Sequence, residues 1–112
     1  MLQKIEIKFS DKNIKLIIKG TNFFSRFSGL MFRSRSTNNL LFDFRREVRF
    51  SIHSFFVFFP FLAIWLDSNN KVVEYKVVRP FCLNVKPRGK FIKIVEIPLN
   101  RRNKPLIKKI IN

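Results

Sequence analysis

This 112-residue chain is poor in the residues that most often carry site chemistry: it has one cysteine, one histidine and three glycines. A single cysteine excludes an intramolecular disulfide, and with a single histidine it excludes a zinc site built on Cys or His clusters. Glycine stands only at 20, 29 and 89, which leaves no glycine-rich phosphate loop. Few glycines and five prolines also exclude a collagen-like or low-complexity chain. Acids are equally scarce, with 7 Asp+Glu against 23 Lys+Arg and a formal net charge of +16. The acids are scattered, so no spacing sets two carboxylates together for acid–base work. Met1-Leu-Gln-Lys leads straight into charged alternation. No apolar region with a small-residue cleavage site precedes it, so a cytoplasmic protein is expected.

What is present is a large apolar payload. Hydrophobic residues make up 46% of the chain and include 15 Phe, with one Tyr and one Trp. Disordered basic tails lack such aromatic and β-branched content. The length predicts one domain over residues 1–112, with 99–112 as a basic terminal segment. A field of +16 attracts anions, which makes nucleic acid or another polyanion a candidate partner. Phe, Ile, Lys and Asn all have A/T-rich codons, so coding bias is a competing source of the same composition. No residue set calls for a cofactor, and the pattern does not set an oligomeric state. Phe50–Leu66 is a run of 17 residues without Lys, Arg, Asp or Glu. A membrane-spanning helix needs about 17–25 mostly apolar residues. Ser51, His53, Ser54 and Pro60 interrupt this run. It reads as two buried strands joined at Phe59-Pro60-Phe61 rather than as a span.

The periodicity is mostly that of strands. Ile5, Ile7 and Phe9 alternate with charged residues, and so do Ile14, Leu16 and Ile18 after the Ser10–Asn13 turn. Phe23, Phe24, Phe27, Leu30 and Met31 form a helical stripe instead, with Thr21 or Asn22 as a cap. Leu40–Phe44 reads as a strand, followed by a charged turn at Arg45-Arg46-Glu47. The strand ending at Leu66 turns at Ser68-Asn69-Asn70 into a partner over Lys71–Val78. Phe91–Ile97 is the last clear strand, stopped by Pro98. Leu106, Ile107, Ile110 and Ile111 form a short helix or a closing strand. Some seven strands with one short helix near residues 21–32 predict a mainly-β fold, a compact antiparallel barrel or sandwich. The alternative is α+β.

Several short pieces resemble one family. Arg26-Phe-Ser-Gly-Leu-Met-Phe-Arg33 is similar to the R-x-x-G-L-M-x-R opening of domain-of-unknown-function family 192, also called uncharacterised protein family 0127. Leu41–Phe44, Ile52–Pro60, Trp65–Val73, Arg79-Pro80-Phe81 and Ile94–Pro98 resemble its later strands in order, in the archaeal form, over residues 21–98. The resemblance implies a compact mainly-β domain and no particular activity. The chain departs from the family at Phe61-Leu62, where an Ile-Asp pair is usual. It departs again at Asn103–Lys109, where cations replace a G-x-K-x-G-D close.

The candidate site residues are therefore mostly cationic. Arg26 and Arg33 flank Gly-Leu-Met, and Arg79, Lys86, Arg88 and Lys90 cluster around one loop. Guanidinium groups bind phosphate or carboxylate through two parallel bonds. Arg26, Arg33, Arg79, Arg88 and His53 are thus the expected anion-binding set of a non-enzymatic binding module. Two alternatives stand beside it: an enzyme or degenerate enzyme with a cleft near His53, and an interaction module using the excess Phe. Cys82 is expected as a packed hydrophobe, and His53 as a core or rim residue of an apolar strand. Asp43 and Glu96, set in apolar strands, are expected to pair with Arg.

Overall fold

The computed structural model describes residues 2–20, 30, 33–54 and 56–111. The helix expected over residues 21–32 lies outside the described residues, apart from Leu30.

Six strands form one mixed sheet: β1 (Leu2–Phe9), β2 (Lys12–Gly20), β3 (Leu40–Val48), β4 (Phe61–Leu66), β5 (Val72–Val78) and β6 (Phe91–Pro98). One helix, α1 (Lys104–Ile111), follows. The strand order is β1-β2-β3-β6-β4-β5. All pairings are antiparallel except the short parallel contact between β2 and β3, Lys19 with Leu40 and Gly20 with Leu41. The sheet curls into a half-barrel. The Lys8 N–H donates to the Asn70 carbonyl at 2.8 Å, and this bond tacks β1 onto the start of β5. The mainly-β expectation holds.

The core follows from strand parity. Successive side chains point to opposite faces of a sheet. In β4 all six residues are buried. Phe61, Ala63 and Trp65 join one cluster with Leu40, Phe42, Val57, Phe59, Phe91 and Ile94. Leu62, Ile64 and Leu66 join a second with Ile7, Ile14, Leu16, Ile18, Val95 and Ile97 inside the curl. A strand covered on both faces reads as an unbroken apolar run, which is why β4 shows no alternation. Leu62, where the family usually has an acid, is fully buried in the second cluster.

Two expectations need correction. Among the described residues the strand expected before Pro60 does not form; residues 49–54 and 56–60 are irregular, with an isolated bridge from Ile52 to Val85. Its backbone bonds go to the loop after β5 instead of to a ladder. The charged turn at Arg45-Arg46-Glu47 is part of β3. There the Asp43 carboxylate accepts the Arg45 N–H at 2.9 Å and the register shifts, with Arg45 at φ 60°. Such an Asx turn builds a β-bulge without ending the strand. Of the two forms expected for Leu106–Ile111, the helix is the one present: α1, docked by Ile110 on the second core.

Candidate functional site

Two segments cover the first core and form one face of the molecule. The described residues of 49–60 lie beside 79–90 and send Val57 and Phe59 inward, with Ile52, Cys82 and Val85 packed against the core. Ser54 holds them together. It is fully buried, and its N–H donates to the Cys82 carbonyl at 2.8 Å. Its carbonyl accepts the N–H of Phe81 at 2.9 Å and of Val57 at 3.1 Å. Its hydroxyl donates to the Arg79 carbonyl and accepts the Cys82 N–H, both at 2.6 Å. That hydroxyl is spent on structure, so Ser54 is no nucleophile. Ser54→Ala is expected to leave the Cys82 N–H and Arg79 carbonyl without this partner. It should cost about 1–3 kcal/mol in urea unfolding.

The outward side of this face is aromatic. Phe56 (41% exposed), Phe58 (59%), Phe81 (49%) and Leu83 (66%) all turn to solvent. In Phe56-Val57-Phe58-Phe59 the exposed and buried residues alternate, with Val57 and Phe59 on the core and Phe56 and Phe58 in solvent. The rings join: Phe58 meets Phe81 edge-on at 5.4 Å, and Phe56 meets it at 6.4 Å. Phe56 and Phe81 sit at φ 59° and 60°, in left-handed backbone. That conformation is rare for a bulky side chain and costs of order 1–3 kcal/mol each. It persists here because the Ser54 bonds hold both loops.

Four of the five expected site residues are among those described. Arg26 lies outside the described residues. Arg33 is half-buried, with its N–H on the Leu30 carbonyl at 3.1 Å. Arg79 and His53 are exposed, one on each loop, and the Ser54 hydroxyl next to His53 donates to the Arg79 backbone carbonyl. Arg88 is exposed on the far edge, where its N–H donates to Glu74 at 2.9 Å. Lys76 shares that carboxylate at 3.4 Å. His53 is exposed and outside any strand, so of the core and rim positions expected for it the core one is excluded. It lines a shallow cleft of about 390 Å³ with Ser51, Ile52, Leu83 and Asn84. Cys82 is half-buried against the core, as expected of a packed hydrophobe.

Other polar features lie away from this face. The mouth of the half-barrel is a cleft of about 500 Å³ whose polar lining includes Gln3, Lys4, Asp43, Arg45, Asn70 and Lys93. Lys93 is tied to Asn70 at 2.6 Å. Sequence reasoning missed this cleft because its cations, Lys4, Arg45 and Lys93, come from three strands far apart in the chain. Glu96 departs from the expected pairing with Arg. It is buried between Leu40 on β3 and Ala63 on β4, with no bond to its carboxyl among the described residues. Burial pushes it up to about 8 from an ordinary 4.5, so it is held as the neutral acid at pH 7. Trp65 stands diagonal to it on the same face, its buried indole N–H without a partner among the described residues. Among the described residues no group of three or more His, Cys, Asp or Glu could hold a metal ion. Nor is any helix among them long and apolar enough to cross a membrane.

Comparison with known proteins gives the family. A UPF0127 protein of Thermococcus sibiricus is 39% identical over 79 residues, 69% of this chain and 51% of that protein. One from Pyrococcus furiosus is 34% identical over 87 residues, 76% of this chain and 66% of that protein. The matched region thus spans about half to two-thirds of these relatives' length. Two crystal structures share the fold. A candidate transcription regulator from Sinorhizobium meliloti superposes with TM-score 0.78 at 15% identity, covering 95% of this chain and 86% of that one. A protein of unknown function from Novosphingobium aromaticivorans gives 0.75 at 13%, covering 94% and 78%. At such identities the likeness concerns the fold alone. The match to the family described as "Uncharacterized ACR" runs over residues 5–109, so this chain belongs to domain-of-unknown-function family 192.

Proposed function

We propose that residues 1–112 act as one non-enzymatic binding module that takes an anionic partner on the face built by residues 49–60 and 79–90. The observation that carries this reading is the charge of that face. Segments 48–66 and 75–95 contain no Asp or Glu, yet supply Arg49, Arg79, Lys86, Arg88 and Lys90. The nearby acid, Glu74, is already engaged by Lys76 and the Arg88 N–H. Uncompensated cations around a partly apolar surface raise the local concentration of anions and speed their capture. Arg79, Arg88 and His53 belong to this reading directly. Arg33 and Arg26, on the segment leading into β3, extend the same cationic set.

The test is binding of labelled single-stranded RNA and duplex DNA across a salt series. Binding should weaken steeply as salt rises, since each phosphate contact releases counterions. An Arg79→Glu/Arg88→Glu double variant should bind at least about tenfold more weakly, each reversal replacing attraction by repulsion. Unchanged affinity in that variant, or no binding of any polyanion at physiological salt, would sink the reading.

A further inference from the structure

The exposed rings of this face call for a more specific partner than an anion. We infer that Phe56, Phe58 and Phe81 form a base-stacking platform for single-stranded nucleic acid, with Arg79 as a phosphate contact beside it; this rests on the anion-binding reading above.

Three observations converge. First, the rings are on the outside by construction. Val57 and Phe59 fill the core, so Phe56 and Phe58 are surplus to it, and Phe81 joins them from the second loop. Bare apolar surface is disfavoured in water, and a contiguous patch marks an interaction site. Second, two of the three Phe occupy left-handed backbone, which adds strain to exposure. Strain of this kind clusters at ligand clamps, where surrounding structure over-determines it. Here the over-determination is the buried Ser54 with its bonds to Arg79, Phe81 and Cys82. Third, the two segments that carry the patch have no acid and several cations, so the apolar surface lies in a positive field. An acidic or neutral protein surface would meet the charge or the rings. A single strand meets both, because every base has a π-face and every linkage a phosphate. A duplex hides its bases in the stack and offers phosphates alone.

The experiment uses the full chain with labelled oligo(U) and oligo(dT) of equal length, the corresponding duplex, and heparin. Single strands should bind more tightly than duplex or heparin at matched salt. Phe58→Ala, at the most exposed ring, should weaken single-strand binding about 5- to 100-fold. Phe58→Tyr should restore it, since the ring and not its area does the stacking. The salt slope should be unchanged by Phe58→Ala and lowered by about one in Arg79→Gln. Equal preference for oligo(U) and oligo(dT) makes the ligand any single strand, and a gap between them names RNA or DNA; both outcomes support the platform. Salt-dependent binding that ignores Phe58→Ala and favours heparin or duplex equally would overturn it while leaving the anionic surface standing. Absence of binding by every polyanion would remove both. A dimer seen by light scattering that Phe58→Ala dissolves, with nucleic-acid affinity untouched, would reassign the patch to contact between copies.

Discussion

Wild-type protein should lose stability as pH rises from about 4.5 to about 8, and Glu96→Gln should remove that loss. The sign follows from which state holds the proton. Glu96 is buried among apolar side chains, and its folded value is raised to about 8 by desolvation, against an ordinary 4.5. Below 4.5 the carboxyl is neutral in both states and has no linked effect. Between the two values the unfolded chain releases a proton that the folded chain keeps, so stability falls with pH. The slope is about 1.4 kcal/mol per pH unit, and the total reaches several kcal/mol, about 5 at most. Above 8 both states are ionised and the loss is constant. Glutamine has the same shape and no titration. The difference in unfolding free energy between variant and wild type should be near zero at pH 4 and several kcal/mol at pH 8.5. Urea unfolding of both proteins across that range is the measurement. Parallel pH profiles would mean that Glu96 is not the neutral acid its burial implies.

Removing residues 100–112 should abolish cooperative folding. That segment looks like a basic tail, but α1 closes the second core. Ile110 is buried there, and Leu106 and Ile107 are packed against it. Asn103 is buried and donates to Asn39 at 2.9 Å and to the Pro98 carbonyl at 2.8 Å. Asn39 in turn donates to the Ile17 carbonyl at 3.1 Å, so this side-chain chain ties α1 to β2. Arg102 adds a bond to the Thr37 carbonyl at 2.7 Å. Truncation opens the curl to water and leaves Asn39 without its Asn103 partner. The combined loss is comparable to the whole stability of a small domain, about 5–15 kcal/mol. The milder Ile110→Ala should cost about 2–4 kcal/mol, a fall in Tm of about 10–20 °C. A truncated chain that melts cooperatively near the wild-type Tm would show that α1 is not part of the closed core.

Much of this was legible in the residues. Period-two alternation located β1 and β2, and Asn69-Asn70 located the β4–β5 turn; Asn70 indeed takes left-handed backbone at φ 60°. The family pieces held their order, and the mainly-β class with them. Where the reading failed, the pattern carried no contrast. In Phe55-Phe56-Val57-Phe58-Phe59 every residue is apolar, so parity could not say which rings face water. The same run looked like a strand because its apolar content is strand-like. The segment is instead anchored through Ser54, whose partners Arg79 and Cys82 lie more than twenty residues away.

Periodicity thus determined the class of fold, composition the excess of positive charge, and the order of short motifs the family. Those properties depend on local alternation and on sums over residues, and both survive without knowledge of contacts. Tertiary structure alone decided that Phe56, Phe58 and Phe81 meet on the surface beside Arg79. It alone decided that Glu96 is buried without a bonded partner among the described residues, and that the basic terminus is a core-sealing helix. Each of these depends on which distant segments pack together, and a burial or a juxtaposition exists only once the chain has closed on itself.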